Sequence, residues 1–193
     1  MIKVFNIKTN KIFLLLLMCI SLILSNLSFA LWPIFLVEFK DIWILTNTDV
    51  GWISGSYFIG YLILTPVYVG LTDKYDAKWI VIIASISVCL ACFSLWFFAV
   101  GFWSTCLIWG VVGSGLAGTY MPGLQVLNDR LNMTDRVKLT PWYTSSFGLS
   151  NGISFAVIGY LFANFSWKIA CYTTSISAAL SAIIILFLTT SHN

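Results

Sequence analysis

From Trp79 through Asn128 the sequence carries no charged side chain, and from Leu139 through Trp167 it again carries none. Water-soluble domains place charge on about a quarter of their residues, so these stretches cannot form the surface of one. The chain of 193 residues is 60% hydrophobic and 9% charged, with a mean hydropathy of +0.95. Composition therefore points to an all-α or barrel protein of the membrane, with the lipid bilayer as its first partner. The net charge of +3 is small, and the ten Lys and Arg form no run. A basic stripe interleaved with aromatics is missing, so no nucleic-acid partner is expected.

Six apolar segments exceed the roughly 20 residues that carry a helix across about 30 Å of hydrocarbon. They are Ile12–Val37, Val50–Leu71, Trp79–Val100, Trp103–Leu127, Trp142–Ala163 and Trp167–Thr190. None shows the alternation of a barrel strand, so the reading is six transmembrane helices in one domain over residues 1–193. Lys3, Lys8 and Lys11 before the first segment, with Ser28-Phe29-Ala30 inside it, resemble a secretory leader. Apolar character runs on through Val37, too far for a leader, and marks an uncleaved first span.

Basic residues sort by side. Lys3, Lys8, Lys11, Lys74, Lys78, Arg130, Arg136 and Lys138 fall on one side of the six spans, and Lys40 and Lys168 on the other. The positive-inside rule then puts both termini in the cytoplasm. Tryptophans at 43, 52, 79, 103, 142 and 167 stand near segment ends, as an aromatic belt requires. The expected location is a cell membrane, the inner membrane of a bacterium.

Small residues recur at helical spacing. In the fourth span, Gly110, Gly113, Ser114, Ala117 and Gly118 follow the i, i+3, i+4, i+7, i+8 pattern of one face. Gly51 with Gly55, and Gly148 with Gly152, repeat it in the second and fifth spans. Such faces let helices approach closely in lipid, and packing is the expected role. Pro33 and Pro122 lie late in the first and fourth spans, and matching interruptions there are what a 3+3 inverted repeat would give.

Chemistry has few footholds. Asn26, Tyr57, Tyr61 and Asn151 lie near mid-depth, with Gln125 nearer the cytoplasmic end. A buried amide in hydrocarbon needs a partner, so the asparagines either hydrogen-bond a neighbouring helix or face a cavity that takes a small polar solute. No ionisable group other than tyrosine falls inside a span, which removes the buried acid that a proton relay needs. The one histidine, His192, stands in the tail, and H-E-x-x-H is absent, so neither a serine nor a metalloprotease site can be assembled. Cys89 and Cys92 form a C-x-x-C with no histidine nearby and read as apolar packing. No enzyme, metal or cofactor is expected.

The polar turn Leu71-Thr72-Asp73-Lys74-Tyr75-Asp76-Ala77-Lys78 resembles the loop between the second and third helices of the major facilitator superfamily, Gly-x-Leu-x-Asp-basic-x-Gly-basic-basic. Leu71, Asp73, Lys74 and Lys78 match, while Val69, Asp76 and Ala77 depart from the pattern. Gly113-Ser114-Gly115-Leu116-Ala117-Gly118-Thr119-Tyr120-Met121-Pro122-Gly123-Leu124 is similar to the fourth helix of that superfamily. With Tyr143-Thr144-Ser145-Ser146-Phe147, it resembles a bacterial subgroup distantly like the cyanate and nitrate/nitrite branches. Many members carry an arginine where this chain has Trp109, and the Gly-Pro motif of proton antiporters is missing from the fifth helix.

The resemblance implies an alternating-access transporter of a small polar or anionic solute. It implies a cavity lined by helices 1, 2, 4 and 5, with Asn26, Tyr57, Tyr61, Gln125 and Asn151 as its candidate residues, and helices 3 and 6 turned outward. Members have two six-helix halves, so this chain corresponds to an N-terminal half with the second half absent. Asp73, Lys74, Asp76 and Lys78 would form the conformational latch, with Asp73 facing a helix of the missing half. The partner would then be a second six-helix half or another copy of the chain in a homodimer. A non-transporting truncated or split remnant, or a six-helix membrane interaction protein, is the other reading.

Overall fold

The computed structural model describes residues 11–188. Within them the chain is helical throughout, with no strand. The first span is in two pieces, α1 (Lys11–Asn26) and α2 (Leu31–Ile42), joined by a 3-10 turn at Leu27–Ala30. Five single helices follow: α3 (Asn47–Thr72), α4 (Ala77–Phe98), α5 (Phe102–Asp129), α6 (Met133–Asn164) and α7 (Trp167–Leu186). Lys3, Lys8, His192 and the last residues of the sixth expected span lie outside the described residues.

Side-chain caps set most of the boundaries. A helix leaves its first N–H groups without intrahelical partners, and a short polar side chain just before it satisfies one. Thr46 and Asp49 form a capping box at α3: Asp49 N–H donates to Thr46 Oγ1 at 3.2 Å, and Thr46 N–H to Asp49 Oδ2 at 2.9 Å. Asp76 accepts from Lys78 N–H at 2.9 Å, Asn132 from Asp135 N–H at 2.9 Å, and Ser166 from Ile169 N–H at 3.4 Å. The Asn132 cap explains a difference from the sequence reading. The fifth helix begins at Met133 rather than Trp142, because its first turns carry Asp135, Arg136 and Lys138 outside the apolar stretch. Apolarity marks where a helix enters lipid; the cap marks where the helix starts.

Five of the six helical spans are long and apolar enough to cross a membrane among the described residues. The exception is α5. Its 28 residues are sufficient in length, but glycine, serine, threonine and tryptophan dilute its apolarity.

The packing pattern has an internal symmetry. α1 packs on α6 as α3 packs on α5, α1 packs on α7 as α4 packs on α5, and α4 packs on α7. Exchanging spans one, two and three for four, five and six leaves this set unchanged, which is the signature of a 3+3 repeat. The prolines do not follow it. Pro33 lies just after the 3-10 break, where its ring excludes the ordinary helical hydrogen bond to Phe29, but α5 runs unbroken through Pro122, as do α3 through Pro66 and α6 through Pro141. Only the first span is interrupted.

The core lies in two clusters. One gathers Leu31, Trp32, Phe35, Phe39, Ile53, Tyr57, Leu95 and Trp109; the other gathers Leu14, Met18, Leu22, Val81, Val126, Tyr143 and Ile185. Ser21, Ser25, Asn26, Ser28, Ser85, Ser150, Ser154 and Ser181, all buried, occupy the layer between them.

The fourth-span glycines serve two neighbours rather than one. A Cβ on Gly113 would run into the Tyr57 carbonyl, and one on Gly60 into the Gly110 carbonyl, so α3 and α5 cross backbone against backbone. Gly110 itself has Ser56 O at 3.4 Å from that position. Gly115 and Gly118 face α4, where a Cβ would stand 2.6 Å from Ser87 Oγ and 2.5 Å from Ala84 Cβ. At Gly148, Gly152, Gly51 and Gly55 an added Cβ would meet nothing within 4 Å, so no described residue is packed closely against them.

Candidate functional site

The break in the first span is held by side chains from α6. A 3-10 turn leaves backbone groups without their usual i−4 partners. Ser154 fills two of these places, donating to Leu27 O at 2.7 Å and accepting from Ala30 N–H at 3.1 Å. Asn26, 3% exposed, donates through Nδ2 to Asn151 Oδ1 at 2.6 Å and to Ser150 Oγ at 2.7 Å. The two asparagines expected near mid-depth therefore meet, and they meet each other.

A hydroxyl cluster extends this layer to α4 and α7. Ser181 Oγ lies 2.7 Å from Ser21 Oγ and 2.8 Å from Ser25 Oγ, and Ser25 Oγ lies 3.3 Å from Ser85 Oγ. Ser177 donates to Leu24 O at 2.9 Å. Every buried side-chain nitrogen and oxygen among the described residues has a partner, as low-dielectric burial demands. The sequence reading missed Ser21, Ser85, Ser154, Ser177 and Ser181.

Beside the break lies a cleft of about 120 Å³ between the first span, α3 and α5. Its walls are Phe29, Trp32, Pro33, Leu36, Ser54, Tyr57, Phe58 and Trp109. Phe29 comes from the 3-10 turn itself. Tyr57 is the hub: its ring centroid is 5.7 Å from Phe29 edge-on, 5.5 Å from Trp109 and 6.2 Å from Tyr61 in a stack. Trp32 Nε1–H donates to Ser54 Oγ at 2.9 Å, and Ser54 donates in turn to Val50 O at 2.9 Å. Of the five cavity candidates, Tyr57 lines the cleft and Tyr61 stands behind it, while Asn26 and Asn151 form the joint next door. Gln125 belongs elsewhere. Its Nε2 donates to Asp129 Oδ1 at 2.7 Å along the same helix.

At the opposite end of the bundle the polar turn is tied to its surroundings. Asp76 pairs with Arg130 at 3.5 Å, both side chains about nine-tenths covered. Lys78, 5% exposed, donates to Leu188 O beyond the end of α7 and lies 5.5 Å from the Trp79 ring. Lys11 pairs with Asp135 at 2.7 Å. Asp73 and Lys74 are exposed. Of the basic residues that the sequence placed on one side, the described ones, Lys11, Lys74, Lys78, Arg130, Arg136 and Lys138, gather at one end. There, two members of the expected latch are pinned within the chain and two are presented outward.

Residues 13–193 match the Major Facilitator Superfamily. The chain belongs to that superfamily. The match spans all six helical segments, and with it the protein is a transporter-type, multi-pass membrane protein. No curated protein matches the chain. Members of the Major Facilitator Superfamily are generally transporters rather than enzymes. Among the described residues no group of three or more His, Cys, Asp or Glu is placed to hold a metal.

Proposed function

We propose that the protein is a secondary transporter of a small polar solute, working by alternating access in the inner membrane of a bacterium with both termini cytoplasmic. One observation carries this reading: the first span tightens into a 3-10 turn at Leu27–Ala30 and contributes Phe29 from that turn to the wall of the cleft. A 3-10 stretch inside a helix often marks a functional hinge, and backbone groups that lose their usual helical partners in lipid are tolerated only where protein or a cavity covers them. Ser154 and the Asn26–Asn151 pair give that support, and Tyr57 is a polar side chain in the cleft wall. The test is solute counterflow into proteoliposomes. Saturable exchange that Tyr57→Leu reduces supports the reading, whereas exchange equal to that of protein-free vesicles for every solute class overturns it.

A second six-helix unit covers the open faces of this one. The support is the openness of α3 and α6, whose most apolar windows are only 11% and 22% buried, against 50% for the first span, α4 and α7. Asp73 and Lys74, exposed on the loop after α3, are the latch residues left for that partner. Cross-linking at Gly152→Cys in membranes tests it. A discrete doubled species supports a homodimer, and a monomer at all protein densities removes it.

A further inference from the structure

We propose that the cleft between the first span, α3 and α5 binds a small organic cation, a quaternary ammonium group, rather than an anion. This rests on the transporter reading for its biological use, but not for its chemistry. Four kinds of observation converge.

The first is the lining. Phe29, Trp32, Tyr57, Phe58 and Trp109 surround the cleft, and no charged side chain is among its walls. Aromatic faces carry negative electrostatic potential, attract cations within about 6 Å of the ring centre and repel anions. The rings meet at varied angles, with Tyr57 edge-on to Phe29 at 68° and tilted 35° from Trp109. Rings at these angles do not form one flat stacking surface.

The second is the shortage of donors. An anion needs N–H or O–H groups, and those of the cleft are already committed. The Trp32 indole N–H is given to Ser54, and the Ser54 hydroxyl to Val50 O. Only the Tyr57 hydroxyl remains. A quaternary ammonium requires no hydrogen bond at all.

The third is the α5 wall, which carries no cationic group to hold an anionic solute. Trp109 stands there, 3% exposed and packed on Tyr57. The nearest basic side chains on that side are Lys40 and Lys168. Lys40 donates to Asn47 Oδ1 at 2.8 Å, and the Lys168 ammonium lies 5.6 Å from the Trp167 ring centre.

The fourth is the field at the entrance. At the end of the bundle nearest the cleft, the acids Glu38, Asp41 and Asp49 outnumber the bases Lys40 and Lys168. The opposite end is basic. That net charge favours the approach of a cation over that of an anion. The volume of about 120 Å³ is well below that of sites for drug-sized ligands, so the cation is small.

The experiment compares choline with its uncharged carbon isostere, 3,3-dimethylbutan-1-ol, by equilibrium dialysis against the full chain in detergent micelles. The two have the same shape, so the difference reports charge alone and needs no variant. Choline is expected to bind saturably and the isostere about 5- to 30-fold more weakly, the equivalent of about 1–2 kcal/mol of cation–aromatic attraction. Trp109→Leu is expected to erase most of that ratio, and Trp109→Phe to keep it. Equal binding of the two probes, or displacement of choline by nitrate or acetate, overturns the proposal. So does a ratio that survives in a folded Trp109→Leu protein. Counterflow separates this from the transport reading. Bound choline that is never exchanged leaves the cation site standing and removes transport of it; counterflow of an anion that Trp109→Leu abolishes leaves transport standing and removes the cation site.

Discussion

Asn26 Nδ2 and Asn151 Oδ1 are 2.6 Å apart, and this bond joins α1 to α6 immediately before the first span breaks. Asn26 spends its second donor on Ser150, so one amide engages two residues of α6. Removing it leaves two partners behind, whereas removing Asn151 leaves Asn26 with Ser150. Interhelical hydrogen bonds in membranes average about 0.6 kcal/mol and reach about 1.7. Asn26→Ala is therefore expected to destabilise the protein by about 1–2 kcal/mol, and Asn151→Ala by about half as much. Thermal unfolding in detergent reads the order, and equal losses would show that the Ser150 contact contributes nothing.

The glycines allow a sharper contrast, because the same substitution meets opposite surroundings. A Cβ at Gly113 collides with the Tyr57 carbonyl, which belongs to helix backbone and cannot move aside. A Cβ at Gly148 meets nothing within 4 Å. Gly113→Ala should force α3 and α5 apart and cost about 1–3 kcal/mol through overpacking. Gly148→Ala should instead raise stability by about 0.5–1 kcal/mol, since alanine loses less entropy in a helix. Parallel melting curves decide the matter, and two losses of similar size would mean that α6 is covered.

Ile44 gives a prediction outside the membrane. It has φ of 51° in the turn after α2, where Leu45 N–H returns to Lys40 O at 2.9 Å. That bond closes a Schellman-type helix end, whose left-handed residue is usually glycine. A β-branched side chain is strained there by roughly 1–2 kcal/mol. It is 89% exposed and so has little packing to lose. Ile44→Gly should stabilise the fold by about 0.5–1 kcal/mol after the greater entropy of an unfolded glycine is subtracted. A lowered melting temperature would contradict the strain.

Features of this fold differ in how plainly the sequence spells them. The spans were legible because charge vanishes from them, and capping residues could have corrected the start of α6, since Asn132 and Asp135 stand at N-cap and N3 spacing. Asn26 and Asn151 were legible as polar groups at one depth. Their pairing was not, because residues 125 apart meet only through the way helices are arranged. Trp109 was visible only as a departure from the superfamily, and its neighbours Phe29 and Tyr57 turned that departure into a wall. The serines were the least legible. A serine in a membrane helix ordinarily bonds back to its own helix, as Ser146 does to Tyr143 O at 2.6 Å. Nothing in sequence separates it from Ser154, which does not.

Ser154 is accordingly the residue on which the break can be tested. Its hydroxyl is fully buried and serves two backbone groups of the first span, Leu27 O and the Ala30 N–H. Ser154→Ala would remove both of these bonds in a region that water does not reach, leaving the two groups only the weaker 3-10 bond they make with each other. The chain has one escape, which is to wind Leu27–Ala30 back towards regular helix. Pro33 limits that escape, because it has no N–H to give the Phe29 carbonyl. The expected result is a loss of about 1–3 kcal/mol, above that of Ser146→Ala, whose hydroxyl donates to Tyr143 O in its own helix and meets the weakly bonding Cys19 thiol across helices. Cysteine accessibility at position 29 gives a second measurement, since Phe29 sits in the turn that Ser154 holds and also lines the cleft. In a Phe29→Cys background, Ser154→Ala should change the labelling rate while a cysteine placed at exposed Leu62 keeps its own. An unaltered rate, with stability like that of Ser146→Ala, would mean that the break stands without its support.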